Sequence, residues 1–334
     1  MTSRRSAQRG DAVYKVLVVQ PLHAVALALL DARDDVEYTV VTDVSESNLL
    51  AHVGEADALT LRDAPLPVSV VRAGTRLRVI SRHGVGYDNV PIDTCTALGI
   101  PVTLVGPVNA VSVAEHTMML MLAAARVAIE LDSSIRRGDF AVRGRVRGVE
   151  LKGRTLLLVG YGRIGQEVAA RAAAFGMRIV VADPYVTPGD HAGVEFAADL
   201  DGALVEADVV SLHVPLTDET RNLIDRRRIG LMRAGAILVN ASRGGTVDEI
   251  ALLDSIRAGH LHGAGIDTFA SEPLPADSPL LAERRIVLSP HAAALTEEAL
   301  IAMGVATVNN ALAALDGRLD PELVVNRSVL ASVG

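Results

Sequence analysis

Thr155-Leu-Leu-Leu-Val-Gly160-Tyr-Gly162-Arg-Ile-Gly165-Gln and, shortly after it, Arg178-Ile-Val-Val-Ala-Asp183 decide how this chain is read. An apolar run typical of a buried strand ends on three glycines spaced G-x-G-x-x-G, a helical pattern opens there, and a second apolar run ends on a carboxylate. Each glycine has a physical task in such a turn. Gly160 permits the tight bend, Gly162 lets the backbone approach a pyrophosphate, and Gly165 lets helix and strand pack closely. The unpaired amides at the helix start favour an anion. Asp183, 23 residues past Gly160, stands where a carboxylate accepts hydrogen bonds from adenosine ribose hydroxyls. The stretch reads as a dinucleotide-binding turn. NAD is expected over its 2′-phosphorylated form, because Asp183 is followed by Pro184 and Tyr185 and not by an arginine.

Outward from this turn, short apolar runs alternate with helical patterns. Val16–Gln20, Glu37–Val41, Ala58–Leu61, Leu77–Ser81 and Pro101–Leu104 form one series. Thr155 opens a second, through Arg178–Asp183, Ala207–Val214, Ala236–Ser242, Gly263–Thr268 and Ile286–Ser289. Both are the pattern of a parallel α/β sheet. The turn after the first run is Gln20-Pro-Leu-His23, without a glycine fingerprint, so the cofactor belongs to the second series. Between them Ser112–Ile135 reads as one connecting helix about two dozen residues long. The last helical stretch, Thr296–Leu315, is expected to return to the first unit. The expected architecture is α/β: two Rossmann-like or flavodoxin-like doubly wound domains with a cleft between them. Residues 1–107 with 296–334 would form a split substrate domain, and 108–295 the NAD-binding domain.

A chain of 334 residues is long for one core, which agrees with two domains. A net charge of −8 argues against nucleic acid as the main partner. Cys95 is the one cysteine; it excludes an intrachain disulfide, fits a reducing, cytoplasmic compartment, and reads as a small core residue. No apolar run approaches the roughly 20 residues needed to cross a bilayer, so no membrane partner is expected. The first dozen residues, with Arg4, Arg5 and Arg9, lack an apolar core for a signal peptide and read as a frayed tail.

Hydride chemistry asks the protein for orientation, a proton donor or acceptor, and a cation for the substrate. Three segments at the carboxyl ends of second-series strands offer these. Arg243, in Val239-Asn-Ala-Ser-Arg-Gly-Gly, can hold a carboxylate bidentately. Glu272, in the stretch from Asp267 to Pro273, and His291, in Leu288-Ser-Pro-His-Ala-Ala, could form an acid/base dyad, since a carboxylate favours the imidazolium. His116, among apolar helix residues, reads as a satisfied packing residue, His213 as cofactor-side, and His23, His52, His191, His260 and His262 as surface. There is no HExxH and no cysteine pair, so no metal is expected. Lys15 and Lys152, the two lysines, both precede a strand, which places them at the amino edge of the sheet, away from a ligand crevice.

Taken together these motifs resemble the NAD-dependent D-isomer-specific 2-hydroxyacid dehydrogenases. The likeness extends to Arg82-His-Gly-Val-Gly-Tyr-Asp-Asn, to Asn109 through Ser112-Val-Ala-Glu-His116, to His213-Val-Pro-Leu-Thr and to Val324-Val-Asn326, covering about residues 15–330. The resemblance implies that His291 is the acid/base, Glu272 its partner, and Arg243 the holder of the substrate carboxylate and carbonyl. It implies that Gly84, Val85 and Gly86 bind the carboxylate through backbone amides and that Asp267 contacts the nicotinamide side. Arg163, Ile164, His213, Val214, Pro215 and Ala241 match cofactor-contacting positions, besides Gly160, Gly162, Gly165 and Asp183. The expected activity is NAD-dependent interconversion of a small D-2-hydroxyacid and its 2-oxoacid, of the hydroxypyruvate, glyoxylate or 3-phosphoglycerate class, with Arg82 offering a cation to a polar or anionic end. The alternative is an NAD(H)-binding corepressor-like module without turnover. A homodimer is expected through Ser112–Arg147, where Phe140 stands in a region in which many members carry a tryptophan.

Overall fold

The computed structural model describes residues 13–332 apart from 188, 190 and 191, so the tail reading of the first dozen residues and the surface reading of His191 lie outside the described residues. The chain divides into two compact units, residues 1–109 with 297–334, and residues 110–296.

In the first unit Tyr14–Val19 (β1), Val36–Val41 (β2), Ala58–Leu61 (β3), Val79–Arg82 (β4) and Val102–Thr103 (β5) form an all-parallel sheet in the order β2-β1-β3-β4-β5. That order is a doubly wound one. Apolar side chains fill both faces, which is why the strands read as continuous apolar runs. Asn326 latches the chain's last segment to this sheet: its Oδ1 accepts from Val102 N at 2.9 Å and its Nδ2 donates to Ile100 O at 2.9 Å. Cys95 is fully buried, and burial pushes its thiol up to about 11.

The helix Glu297–Leu315 corrects one sequence reading. At 19 residues it is long and apolar enough, by length and composition, to cross a membrane. Here it packs on the helix Ala24–Asp31 and on β3 and β4, burying Met303, Thr307, Val308, Ala311 and Leu315. Gly304 permits the approach, since a Cβ there would meet Ala26 Cβ at 2.9 Å.

In the second unit Thr155–Val159 (β6), Arg178–Ala182 (β7), Val194–Phe196 (β8), Val209–Leu212 (β9), Ile237–Asn240 (β10), Gly263–Ile266 (β11) and Ile286–Leu288 (β12) form a parallel sheet ordered β12-β11-β10-β9-β6-β7-β8. The chain reverses its winding between β6 and β9, and ligands of such sheets bind outside the carboxyl ends of strands at that point.

The connecting segment is not one helix. It forms Ala110–Ala125 and Ala128–Arg136, with Val127 between them in the left-handed region at φ 51°. The break is tertiary in origin: Val149 N donates to Ala125 O at 2.8 Å, and the His262 imidazole approaches the same oxygen at 3.3 Å. The carbonyl that a continuing helix would use is thereby taken. His262 is half-buried, as are His23, His52 and His260. The first of the two, the linking helix, lies on β10 and β11, where Gly265 leaves room that a Cβ would fill at 2.6 Å from Leu120 Cβ.

Candidate active site

The glycine turn is built as its spacing requires. Gly160 has φ 96°, and a Cβ there would stand 2.5 Å from His213 O, across the switch point. A Cβ at Gly165 would stand 2.5 Å from Gly160 O, so the helix Arg163–Ala174 can sit against the turn only with glycine there. A Cβ at Gly162 would meet nothing within 4 Å. Gly162 thus opens onto free space at the helix start, a cradle of the kind a pyrophosphate needs. Arg163 is exposed and Ile164 half-buried beside it.

Asp183 follows β7 and faces this turn. One carboxylate oxygen accepts from Tyr161 N at 2.7 Å and the other from Tyr185 N at 2.8 Å. A carboxylate has about four lone-pair sites, so acceptor capacity remains for hydroxyls. His213, after β9, places Nε2 2.9 Å from Ser211 Oγ, while its Nδ1 is buried with no hydrogen-bond partner among the described residues. Burial pushes this imidazole down to about 4, so it is neutral at pH 7. Val214 and Pro215 continue the same loop, and Ala241 follows β10 in a buried position. The donor set, the open cradle and the orphaned buried nitrogen together fit a dinucleotide.

The three segments with candidate chemistry converge after β10, β11 and β12. Asn240 shapes the first: its Nδ2 donates to Arg243 O at 3.0 Å, and its Oδ1 accepts from Ser242 N at 3.1 Å. Gly244 lies so close to the next loop that a Cβ would overlap Phe269 O. His291 Nδ1 lies 2.8 Å from Glu272 Oε2, and Glu272 Oε1 accepts from Phe269 N at 2.9 Å. The Glu272 hydrogen bond raises the His291 pKa; burial and the charge of Arg243 oppose it without winning. For Glu272, burial pushes upward but the hydrogen bonds from His291 and Phe269 N prevail, so its pKa is lowered. The pair therefore favours imidazolium and carboxylate together. Both side chains remain open to solvent, at 45% and 37% exposure.

Asp267 is fully buried and acts as a hub. Its oxygens accept from Ser289 Oγ, from Ala292 N at 2.8 Å and from Ala293 N at 3.0 Å. His116 is mostly buried and satisfied, and its partners belong to this site: its Nε2 lies 2.8 Å from Ser289 Oγ and 3.2 Å from Asp267 Oδ1.

On the first unit, Arg82 ends β4 and lies 3.6 Å from Asp63 Oδ1. Gly84 has φ 148°, and its amide donates to Arg82 O at 3.0 Å, which leaves Val85 and Gly86 as the amides of that turn to consider. Sequence reasoning passed over Arg62, which directly follows the neighbouring strand β3, whose last residue, Leu61, pairs with Arg82. Its Nη1 donates to Pro21 O at 3.0 Å, while its Nε is buried with no hydrogen-bond partner among the described residues. A basic residue directly after a buried strand was the signal available.

The sequence profile described as "D-isomer specific 2-hydroxyacid dehydrogenase, NAD binding domain" matches residues 118–293, more than half of the chain. The chain belongs to this family. Its second unit carries the family's NAD binding domain. Over 93% of the chain it is 41% identical to a D-3-phosphoglycerate dehydrogenase of Methanocaldococcus jannaschii, of which it spans only 59%. A hydroxypyruvate reductase of Thermotoga maritima is 40% identical over 88% of this chain and 96% of its own length. The solved structure of the TT0316 protein from Thermus thermophilus superposes with a TM-score of 0.83 at 38% identity, covering 93% of this chain and 99% of that one.

Proposed function

We propose that this protein is an NAD-dependent oxidoreductase that interconverts a small D-2-hydroxyacid and its 2-oxoacid, with His291 as proton donor and acceptor. The observation that carries the reading is the 2.8 Å contact between His291 Nδ1 and Glu272 Oε2, beside the Arg243 turn and in the unit that holds the glycine cradle. NADH, when bound, supplies the hydride to the oxoacid carbonyl carbon. His291 gives the proton on Nε2 to the carbonyl oxygen while Nδ1–H stays on Glu272, and in the reverse direction Nε2 takes it back. Arg243 holds the carboxylate and polarises the carbonyl. Asp267 faces the nicotinamide side, the backbone from Gly160 to Gly165 takes the pyrophosphate, and Asp183 takes the adenosine ribose.

We further propose that Val85 and Gly86 offer amides to the substrate carboxylate and that Arg82, with Arg62 beside it, favours a polar or anionic tail. The relatives named for 3-phosphoglycerate and hydroxypyruvate support that class. A homodimer through the outer face of the linking helix is supported by exposed Met119 and Phe175, which with Met118, Leu122, Ala123 and Ala128 line an apolar groove of about 550 Å³.

The test is a steady-state panel of hydroxypyruvate, glyoxylate, 3-phosphohydroxypyruvate and 2-oxoisocaproate with NADH. Turnover of the small polar acids supports the reading. Tight NADH binding without turnover of any of them leaves the corepressor-like alternative in its place, and 2-oxoisocaproate as the best substrate refutes the role given to Arg82 and Arg62.

A further inference from the structure

The segment that carries His291 is held in an unusual shape. His291 has φ 52°, in the left-handed region that residues with a side chain rarely adopt. Such a residue persists where its surroundings over-determine it. Those surroundings are mostly Asp267. Its carbonyl accepts the His291 amide at 2.7 Å, and its carboxylate accepts the amides of Ala292 and Ala293. The backbone on the carboxyl side of the imidazole is therefore fixed by one fully buried carboxylate.

A buried carboxylate with two amide donors still needs a compensating partner to remain charged. Burial pushes Asp267 upward, and the hydrogen bonds from His116, Ser289 and Ala292 outweigh it, so its pKa lies below the ordinary value. His116 reaches it from a different element, the linking helix, and is itself only 17% exposed. The titratable groups facing Asp267 are His116 from that helix, Glu272 from the loop after β11 and His291 from the loop after β12; Arg243, after β10, faces His291.

We propose that His116 is a positioning residue for proton transfer: through Asp267 and Ser289 it keeps the His291 segment in the conformation from which the imidazole meets Glu272. This rests on the reading of His291 as the acid/base. A packing role would be filled equally by an apolar side chain of similar size. The proposed role requires a hydrogen-bond donor at Nε2, where a protonated His116 pairs with a charged Asp267 and a neutral one still donates.

His116→Leu and His116→Gln separate the two roles, since leucine keeps volume without a donor and glutamine restores one. The first readout is a ¹⁵N imidazole titration of His291 in the cofactor-free protein. Its midpoint is expected to fall in His116→Leu, because the imidazole loses its fixed approach to Glu272, whose hydrogen bond favours the imidazolium, and to recover in His116→Gln. Ser289→Ala is expected to lower it in the same direction, and with His116→Gln provides the test where His116→Leu does not fold. The second readout is reduction of hydroxypyruvate with NADH. Loss of one charge-assisted hydrogen bond predicts a kcat lower by about tenfold to a hundredfold in His116→Leu, with KM for the oxoacid little changed. An unmoved His291 midpoint, or a His116→Gln variant no better than His116→Leu, overturns the proposal. An inactive wild-type protein would instead refute the function proposed above, and the titration would still decide the role of His116.

Discussion

Gly162→Ala is the most discriminating single change in the molecule, because the structure separates its effect on the fold from its effect on the ligand. Gly162 is the N-cap of its helix at φ −69° and ψ −166°, a conformation any residue adopts, and a Cβ there meets nothing within 4 Å. Alanine is a poorer N-cap than glycine, but it also restricts the unfolded chain by about 0.4–1 kcal/mol. The two nearly cancel, so Tm should move by no more than a few degrees. The added methyl instead occupies the space a pyrophosphate would use. Overlap costs about 1–3 kcal/mol and a displaced charge-assisted hydrogen bond a further ~1.5–3 kcal/mol. At 1.4 kcal/mol per tenfold, Kd for NADH should rise by about a hundredfold or more. Gly165→Ala is the control with the opposite signature. Its Cβ would lie 2.5 Å from Gly160 O, against 3.4 Å for ordinary contact, so the helix must retreat by about 0.9 Å. A Tm loss of several degrees is expected there. Thermal unfolding and fluorescence titration with NADH on both variants complete the assay. If Gly162→Ala binds NADH as tightly as the wild type, no pyrophosphate sits on this turn.

His291→Ala should lose about 10²–10⁴ in kcat while still binding NADH, and retained turnover would remove His291 from the chemistry. Reduction needs the imidazolium, and Glu272 raises the His291 pKa, so Glu272→Gln should move the alkaline limb of the reduction profile to lower pH; an unchanged profile dissolves the dyad. The wild type should prefer NADH over NADPH by about a hundredfold or more in kcat/KM, since a 2′-phosphate would meet the Asp183 carboxylate, and comparable efficiencies would contradict that placement. Light scattering at micromolar concentration should give the mass of a dimer, and Met119→Glu should shift it toward the monomer; a wild-type monomer would reject the interface.

The sheets were legible because buried parallel strands are plain apolar runs, and each run singled out from the sequence overlaps a strand. Val194–Phe196 escaped because it is three residues long, on the sheet edge, and nowhere fully buried, so it lacks the apolar signature. The break at Val127 escaped for another reason: nothing local stops that helix, and the Val149 amide that does lies beyond the arginine-rich arm. Glu272 and His291 were paired from chemistry and strand order, and their side chains do meet. The partners of His116 were not legible because Ser289 and Asp267 are over a hundred residues away, and an apolar neighbourhood on a helix says nothing about what the imidazole tip touches.

The helix Glu297–Leu315 has a consequence for how the chain emerges from the ribosome. The first unit's strands are made early, yet one face of their sheet, with Val16, Val18 and Val79, is closed by Val308, Ala311 and Leu315. At about 5–20 residues per second, roughly 10–40 s separate residue 109 from residue 315. During that interval the contiguous unit from Ala110 to Thr296 can complete its own core, while the first unit's strands wait with one apolar face only partly covered, by Leu22, Ala26 and Leu30. The first unit thus completes its core only after residues 297–315 are made, and it is the stretch on which chaperone capture or misassembly between nascent chains would fall.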